Sequence, residues 1–171
     1  MSLSVVDSPV LTPAVFQQMY QQHSGQLCAY LIKSLRGDKA EAEGIVQEAY
    51  LKAWEKRGDL RKIGAFRSWI FSIALNELRQ RKRKLRPLAV EEIEATCEAP
   101  SPERHAAASQ ELDRAMAALE LLPDDQREAV LLVRMENMKF REAAEVLGVS
   151  ENTVKTRVRR GLLKLAEELG L

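Results

Sequence analysis

Apolar residues recur at three- and four-residue steps along most of this chain, the period of an amphipathic helix, and no stretch shows the alternation of a strand. After Pro13, the residues Val15, Phe16, Met19, Tyr20, Leu27, Tyr30, Leu31 and Leu35 keep that period until Arg36-Gly37-Asp38 breaks it, which predicts a first helix. Ala42, Ile45, Val46, Ala49, Tyr50, Ala53 and Trp54 share one face of a second helix, from about Lys39 to Lys56. After a short loop a third helix runs from about Phe66, with Trp69, Ile70, Ile73, Ala74 and Leu78 facing the first two. The pattern lapses between 87 and 108 and resumes with Leu112, Ala115, Met116 and Leu119. That helix should stop at Leu122, because Pro123 disfavours helical geometry in the residue before it and suits the start of the next, "DQREAVLLVRM". Two shorter segments follow, "FREAAEVLG" and "SENTVKTRVRRGLLKLAEEL", separated only by Gly148, Val149 and Ser150.

The expected fold class is therefore all-α. A bundle of three to four helices over 13–86 is joined by a flexible acidic linker, 87–108, to a helix-turn-helix domain over 109–171. With 171 residues, 46% of them hydrophobic, each module has material for a core. The formal net charge of +1 gives no hint of a polyanionic partner, but it averages over blocks of opposite sign. Six of the eight residues from 79 to 86 are Lys or Arg, whereas Pro87 to Glu103 holds five glutamates and three prolines with little to bury. The last helix carries a single acid, Glu151, before Lys155, Arg157, Arg159, Arg160 and Lys164.

Two helices joined by so short a turn, with small Ala144 four residues before Gly148, fit a helix-turn-helix. Ser150 is a good N-cap for its second helix. Val154, Val158, Leu162 and Leu165 should face the core, which leaves Asn152, Lys155, Thr156, Arg159 and Arg160 toward solvent or DNA. In such a motif the N-terminal residues of the second helix reach base edges and the basic residues farther along meet phosphates. Asn152 and Thr156 are short hydrogen-bonding side chains where bases would be read, and Lys155 suits either task. The plain alternative is a solvated basic face.

An enzyme is the class least supported. There is no Gly-rich phosphate loop, no HExxH and no metal-ligand cluster, and the two histidines, His23 and His105, lie in different modules. No cofactor or metal is expected. Cys28 and Cys97 lack CxxC or metal-type spacing and suit a reducing compartment. The N-terminal dozen residues have no positive n-region, and nowhere is there a run of about 18 apolar residues, so a cytoplasmic protein without membrane insertion is expected. A stand-alone repressor or activator would normally need a dimer to space two recognition helices, and nothing here resembles a zipper or a ligand pocket. A first module that is only a protein-interaction bundle stays as a third reading.

Taken together, these segments resemble the extracytoplasmic-function σ factors, the smallest group of bacterial σ70-type initiation factors. Leu122 to Leu165, including the pattern LP-x-x-x-R and the late TVK-x-R, looks like region 4 of that family. "AEGIVQEAYLKAW" looks like region 2.2, and "FRSWIFSIALNELRQRKRK" like regions 2.3 and 2.4. The resemblance implies an alternative sigma factor that binds core RNA polymerase and directs promoter-specific initiation. Polymerase would be met by Glu43, Gln47, Glu48, Tyr50 and Lys52. The minus-35 duplex would be read by Ser150, Asn152, Thr153, Lys155, Thr156, Arg157, Arg159 and Arg160. The minus-10 element would be melted and its strand held by Asp59, Arg61, Lys62, Phe66, Arg67, Trp69, Asn76, Arg79, Gln80 and Arg83, with Arg81 and Lys82 adding to the basic track. Trp69 and Phe71 fit the core as well as base stacking, and Asn76 fits DNA bonding as well as bracing the loop. The linker, with Glu91, Glu92, Glu94 and Glu98, would mimic nucleic acid in a polymerase channel or serve as a plain spacer. An anti-sigma factor is an expected partner. Two positions depart from the family pattern: Gly44 stands where an acid is usual, and Gln80 replaces an Asp.

Overall fold

The computed structural model describes residues 11–85 and 108–171, so the acidic linker lies outside the described residues but for its last position. Seven α-helices appear there and no strand: α1 Pro13–Ser34, α2 Lys39–Glu55, α3 Phe66–Lys84, α4 Ala108–Glu120, α5 Asp124–Val130, α6 Phe140–Leu147 and α7 Glu151–Leu169. Local chemistry sets their ends. Thr12 Oγ1 accepts the Val15 N–H at 3.3 Å, with Pro13 in the first turn, and Asp38 caps α2 by accepting the Glu41 N–H at 3.0 Å. Arg36 and Gly37, at φ 55° and 91°, reverse the chain between α1 and α2.

In the first module α1, α2 and α3 close around Leu27, Leu31, Ile45, Ala49, Ile70 and Ala74, all fully buried. One end of this core is aromatic. The Phe66 ring lies 6.4 Å from those of Phe16 and Tyr50 and 6.0 Å from Trp69. The second module builds its core from Ala129, Leu132, Ala143, Leu147, Val154 and Val158. Here α5 and α7 approach so closely that a Cβ on Gly161 would stand 2.7 Å from Val130 Cγ2.

The structure departs from the expected single helix over "DQREAVLLVRM". The α-helix ends at Val130, and Leu131–Met135 form one wider π turn, closed by the Glu136 N–H donating to the Leu131 carbonyl at 3.1 Å. Asn137, at φ 52°, then turns the chain toward α6.

The modules are not separate in space. α3 packs against α6 and α1 against α5, and the buried apolar residues of both form one continuous cluster. Arg127 seals the junction. Only 2% exposed, it donates to the Leu122 carbonyl at 3.1 Å and, across the boundary, to the Ser34 carbonyl at 3.3 Å, and it pairs with Asp124.

Candidate nucleic-acid interface

α6 and α7 form the helix-turn-helix. Gly148 takes the left-handed conformation at φ 66° and donates its N–H to the Ala144 carbonyl, which ends α6. Ser150 Oγ accepts the Thr153 N–H at 3.1 Å and shares a 2.8 Å hydrogen bond with Thr153 Oγ1, so these two side chains start the helix. Val154 and Val158 are buried, and Asn152, Lys155, Thr156, Arg159 and Arg160 stand outward and exposed. Lys155 lies 3.0 Å from Glu151 and 5.7 Å from the centre of the Phe140 ring, a loose surface tether. Arg157 does not join the outward set; it turns toward α5, with Nε 3.3 Å from Asp125.

The loop before α3 frames a pocket of about 350 Å³, lined by Asp59, Arg61, Lys62, Ser68 and Trp69, and by Glu145 from α6. Trp69 serves twice, packing on Phe66 and walling this pocket. Phe66, expected at the nucleic-acid surface, is fully buried and supports the pocket from behind. Phe71 is core as well, against Tyr30 at 5.4 Å. His23 stacks on Phe66 at 5.8 Å, and burial and then Arg67 hold its pKa below the usual histidine range, which suits a neutral structural ring.

The basic end of α3 is split between faces. Asn76, Gln80 and Arg83 follow one another at four and three residues, are exposed, and line a groove of about 280 Å³ with Lys52 and Lys56 of α2. Arg67, Arg79 and Lys82 point to the second module instead. Arg67 Nη2 donates to the Glu136 carbonyl at 2.5 Å and to its carboxylate at 3.1 Å; Arg79 lies 3.3 Å from Glu128 and Lys82 2.8 Å from Asp124. Arg81 lies 3.3 Å from Glu77 on its own helix and reaches α2 at Glu41, 3.4 Å away. Its guanidinium would lie 3.3 Å from a Cβ at Gly44, so Arg81 occupies the space beside that departure.

Burial governs the carboxylates at this junction. It pushes Glu128 above the usual range in spite of Arg79 and Lys82. It acts the same way on Asp124, but there Lys82 and Arg127 outweigh it and the carboxyl ends below its ordinary value. Glu77, within the first module, is held low first by a hydrogen bond from Lys52, then by Arg81, against the effect of burial.

On α2, Glu43 and Gln47 are exposed and Glu48 is half-exposed, whereas Lys52 is tied to Glu77. Tyr50, expected at a polymerase surface, is only 4% exposed beneath Tyr20. The residue that sequence reasoning missed is Leu51. It is 62% exposed and continues the outward row of Glu43 and Gln47 at a four-residue step. Its signal was present: it is an apolar residue off the apolar stripe.

Residues 19–87 match the family model for Sigma-70 region 2, and residues 112–165 that for Sigma-70, region 4. The chain is 34% identical over 157 residues to the RNA polymerase sigma factor NccH of Alcaligenes xylosoxydans xylosoxydans, covering 88% of this chain and 84% of the relative. It is 32% identical over 158 residues to the ECF RNA polymerase sigma factor SigM of Mycobacterium tuberculosis, covering 91% of this chain and 77% of that one. Among solved structures, the sigma factor RpoE in complex with the anti-sigma factor NepR from Bartonella quintana is similar at TM-score 0.70 and 27% identity, over 91% of this chain and 97% of that one. The chain belongs to the extracytoplasmic-function group of the σ70 family: it is an alternative sigma factor directing promoter-specific transcription.

Proposed function

We propose that the two modules divide the promoter between them. α7 reads the minus-35 duplex, with Asn152 and Thr156 at base edges and Lys155, Arg159 and Arg160 on bases or phosphates. The loop over 59–65 and α3 hold the melted minus-10 strand, with Arg61, Lys62 and Trp69 at the pocket and Asn76, Gln80 and Arg83 along the outer groove. Core polymerase docks on the outward row of α2, where Glu43, Gln47 and Leu51 stand together. Ser150, Thr153, Tyr50 and Phe66 act from within, by fixing the surfaces that others present. Catalysis belongs to the polymerase, and the protein works in the cytoplasm. An anti-sigma factor is a fitting partner, as for the Bartonella relative.

The observation that carries this reading is the face of α7: five polar or basic side chains exposed together on a capped helix whose opposite side is buried. The test is transcription with σ-free core polymerase on fragmented bacterial DNA, with the 5′ ends of the transcripts sequenced. New starts behind a shared pair of sequence elements are expected, and DNA binding without any start would favour a stand-alone regulator. Arg159→Ala should weaken DNA binding across sequences and flatten its salt dependence. Asn152→Ala should change the upstream element preferred, and an unchanged preference would reverse the assigned orientation of α7.

A further inference from the structure

We infer that the groove between α2 and α3 seats backbone phosphate of the nucleic-acid strand, with Lys56 of α2 as a strand-binding cation across from Arg83, and that glutamine at position 80 is what opens this groove to a polyanion. The inference rests on the reading of α3 as a strand-holding surface and gives that surface a second wall. Lys56 stands at the C-cap of α2, one turn beyond Lys52, and is exposed. Both lysines line the groove with Asn76, Gln80 and Arg83, but they differ in what they have to offer. Lys52 is bonded to the Glu77 carboxylate and lies 3.9 Å from Glu48, so its charge is answered within the protein. Lys56 and Arg83 enter no ion pair among the described residues, and their charge is free for a ligand.

The sign of the groove turns on one residue. Its unpaired charges are the cations Lys56 and Arg83 against a single acid, Glu55, which leaves a positive balance. Residue 80 lies between Asn76 and Arg83 on the α3 wall, at the position where this chain departs from the family's Asp. An acid there would cancel the balance and give either cation a partner inside the groove. Glutamine adds no charge, and its amide, like that of Asn76, can donate to a phosphate or meet a base edge. From Asn76 to Arg83 the wall rises about 10 Å along the helix, the length of about three nucleotides of one strand at duplex spacing. A lysine at the rim is a point charge on a flexible stem, suited to a backbone that carries no sequence information. α2 therefore serves two partners from different sides: the row of Glu43, Gln47 and Leu51 stands outward for polymerase, while its C-terminal end completes the groove for the strand.

The test uses the full chain and a fluorescent A/T-rich 20-nucleotide single strand, with binding read by anisotropy over a salt series. Lys56→Gln should bind about fivefold more weakly at low salt and flatten the slope of log affinity on log salt by about 0.7, the share of one phosphate on a single strand. Lys56→Arg should keep both. Gln80→Glu should weaken binding by at least as much as Lys56→Gln, because its carboxylate repels the backbone and engages the free cations. Lys39→Gln removes the same charge at the other end of α2, outside the groove, and should bind as wild type does. All these positions are exposed, so the fold tolerates the changes. Lys56→Gln binding like Lys39→Gln, or Gln80→Glu binding like wild type, overturns the phosphate seat. Arg83→Gln keeps that failure apart from a failure of α3. If Arg83→Gln weakens binding where Lys56→Gln does not, α3 holds the strand without α2; if neither does, or if wild type binds no strand, the reading of α3 falls as well.

Discussion

α3 and α7 are both 19-residue helices with clusters of Lys and Arg, yet their cations are placed in different circumstances. Those of α7 stand outward except Arg157, which turns to Asp125 of α5, and Lys155 alone of the outward set has an acid beside it, one turn away on the same helix. Those of α3 are shared out: Arg81 to α2, Arg67, Arg79 and Lys82 to the second module, and Arg83 to solvent. A basic run in a sequence thus measures charge supplied and not charge available. Availability is settled by acids 40 to 70 residues away, as with Arg79 and Glu128 or Arg67 and Glu136.

The contrast can be broken most severely at Arg127, the buried group that joins α5 to the Ser34 carbonyl. Arg127→Ala should cost about 3 kcal/mol, read as a lower urea midpoint, because it leaves the Leu122 and Ser34 carbonyls without this donor and Asp124 with Lys82 alone. A loss below about 1 kcal/mol would mean that the junction does not depend on Arg127. Next is Gly161→Ala, which touches only the α7 side. Crowding Val130, a stiff β-branched neighbour, should cost about 1–3 kcal/mol and lower the melting temperature, with α3 unaffected in hydrogen exchange. Ser150→Ala should cost about 1 kcal/mol and fray the first turn of α7, whereas Ser150→Asp should keep the cap.

The smallest effect sharpens the α3 side through pH. Glu77 has its carboxyl lowered in the fold, first by Lys52, so its contribution is complete above the unfolded value, about 4.3, and fades as pH falls through the folded one. Melting curves of wild type and Glu77→Gln should accordingly differ most near neutral pH and converge on acidification below the unfolded value. A gap that widens on acidification would reverse the sign assigned to this group.

Much of the helical plan was legible in the sequence, because period and punctuation are local. The break at Arg36-Gly37-Asp38, the turn at Gly148 and the cap at Ser150 each need only neighbouring residues to be understood. The outward side of α7 followed from the same period, apart from Arg157, whose partner Asp125 lies a helix away. What was not legible depends on distant residues. Phe66 and Tyr50 are surface candidates through the family resemblance, although the helical period already sets Tyr50 on the apolar face of α2, and the closing of α1 over α2 and α3 buries them together. Gly161 looks like an ordinary glycine in a helix until α5 is placed against it. Direct packing between the modules was hidden for a further reason: Arg127 and Glu128 sit in a segment rich in charge, where burial is the exception.

The wide turn at Leu131–Met135 is where this arrangement is most sensitive to the reading frame of the helix. Each residue of an α-helix rotates the chain by about 100°, and a π turn holds one residue more than the α turn it replaces. That surplus residue sets the azimuth at which Glu136 leaves the helix, and both its carbonyl and its carboxylate point at Arg67. Straightening 131–135 into ordinary α-helix with no residue removed would swing Glu136 by about 100°. The composition of the interface would hardly change, but its phase would, and Arg67 would lose both acceptors at once.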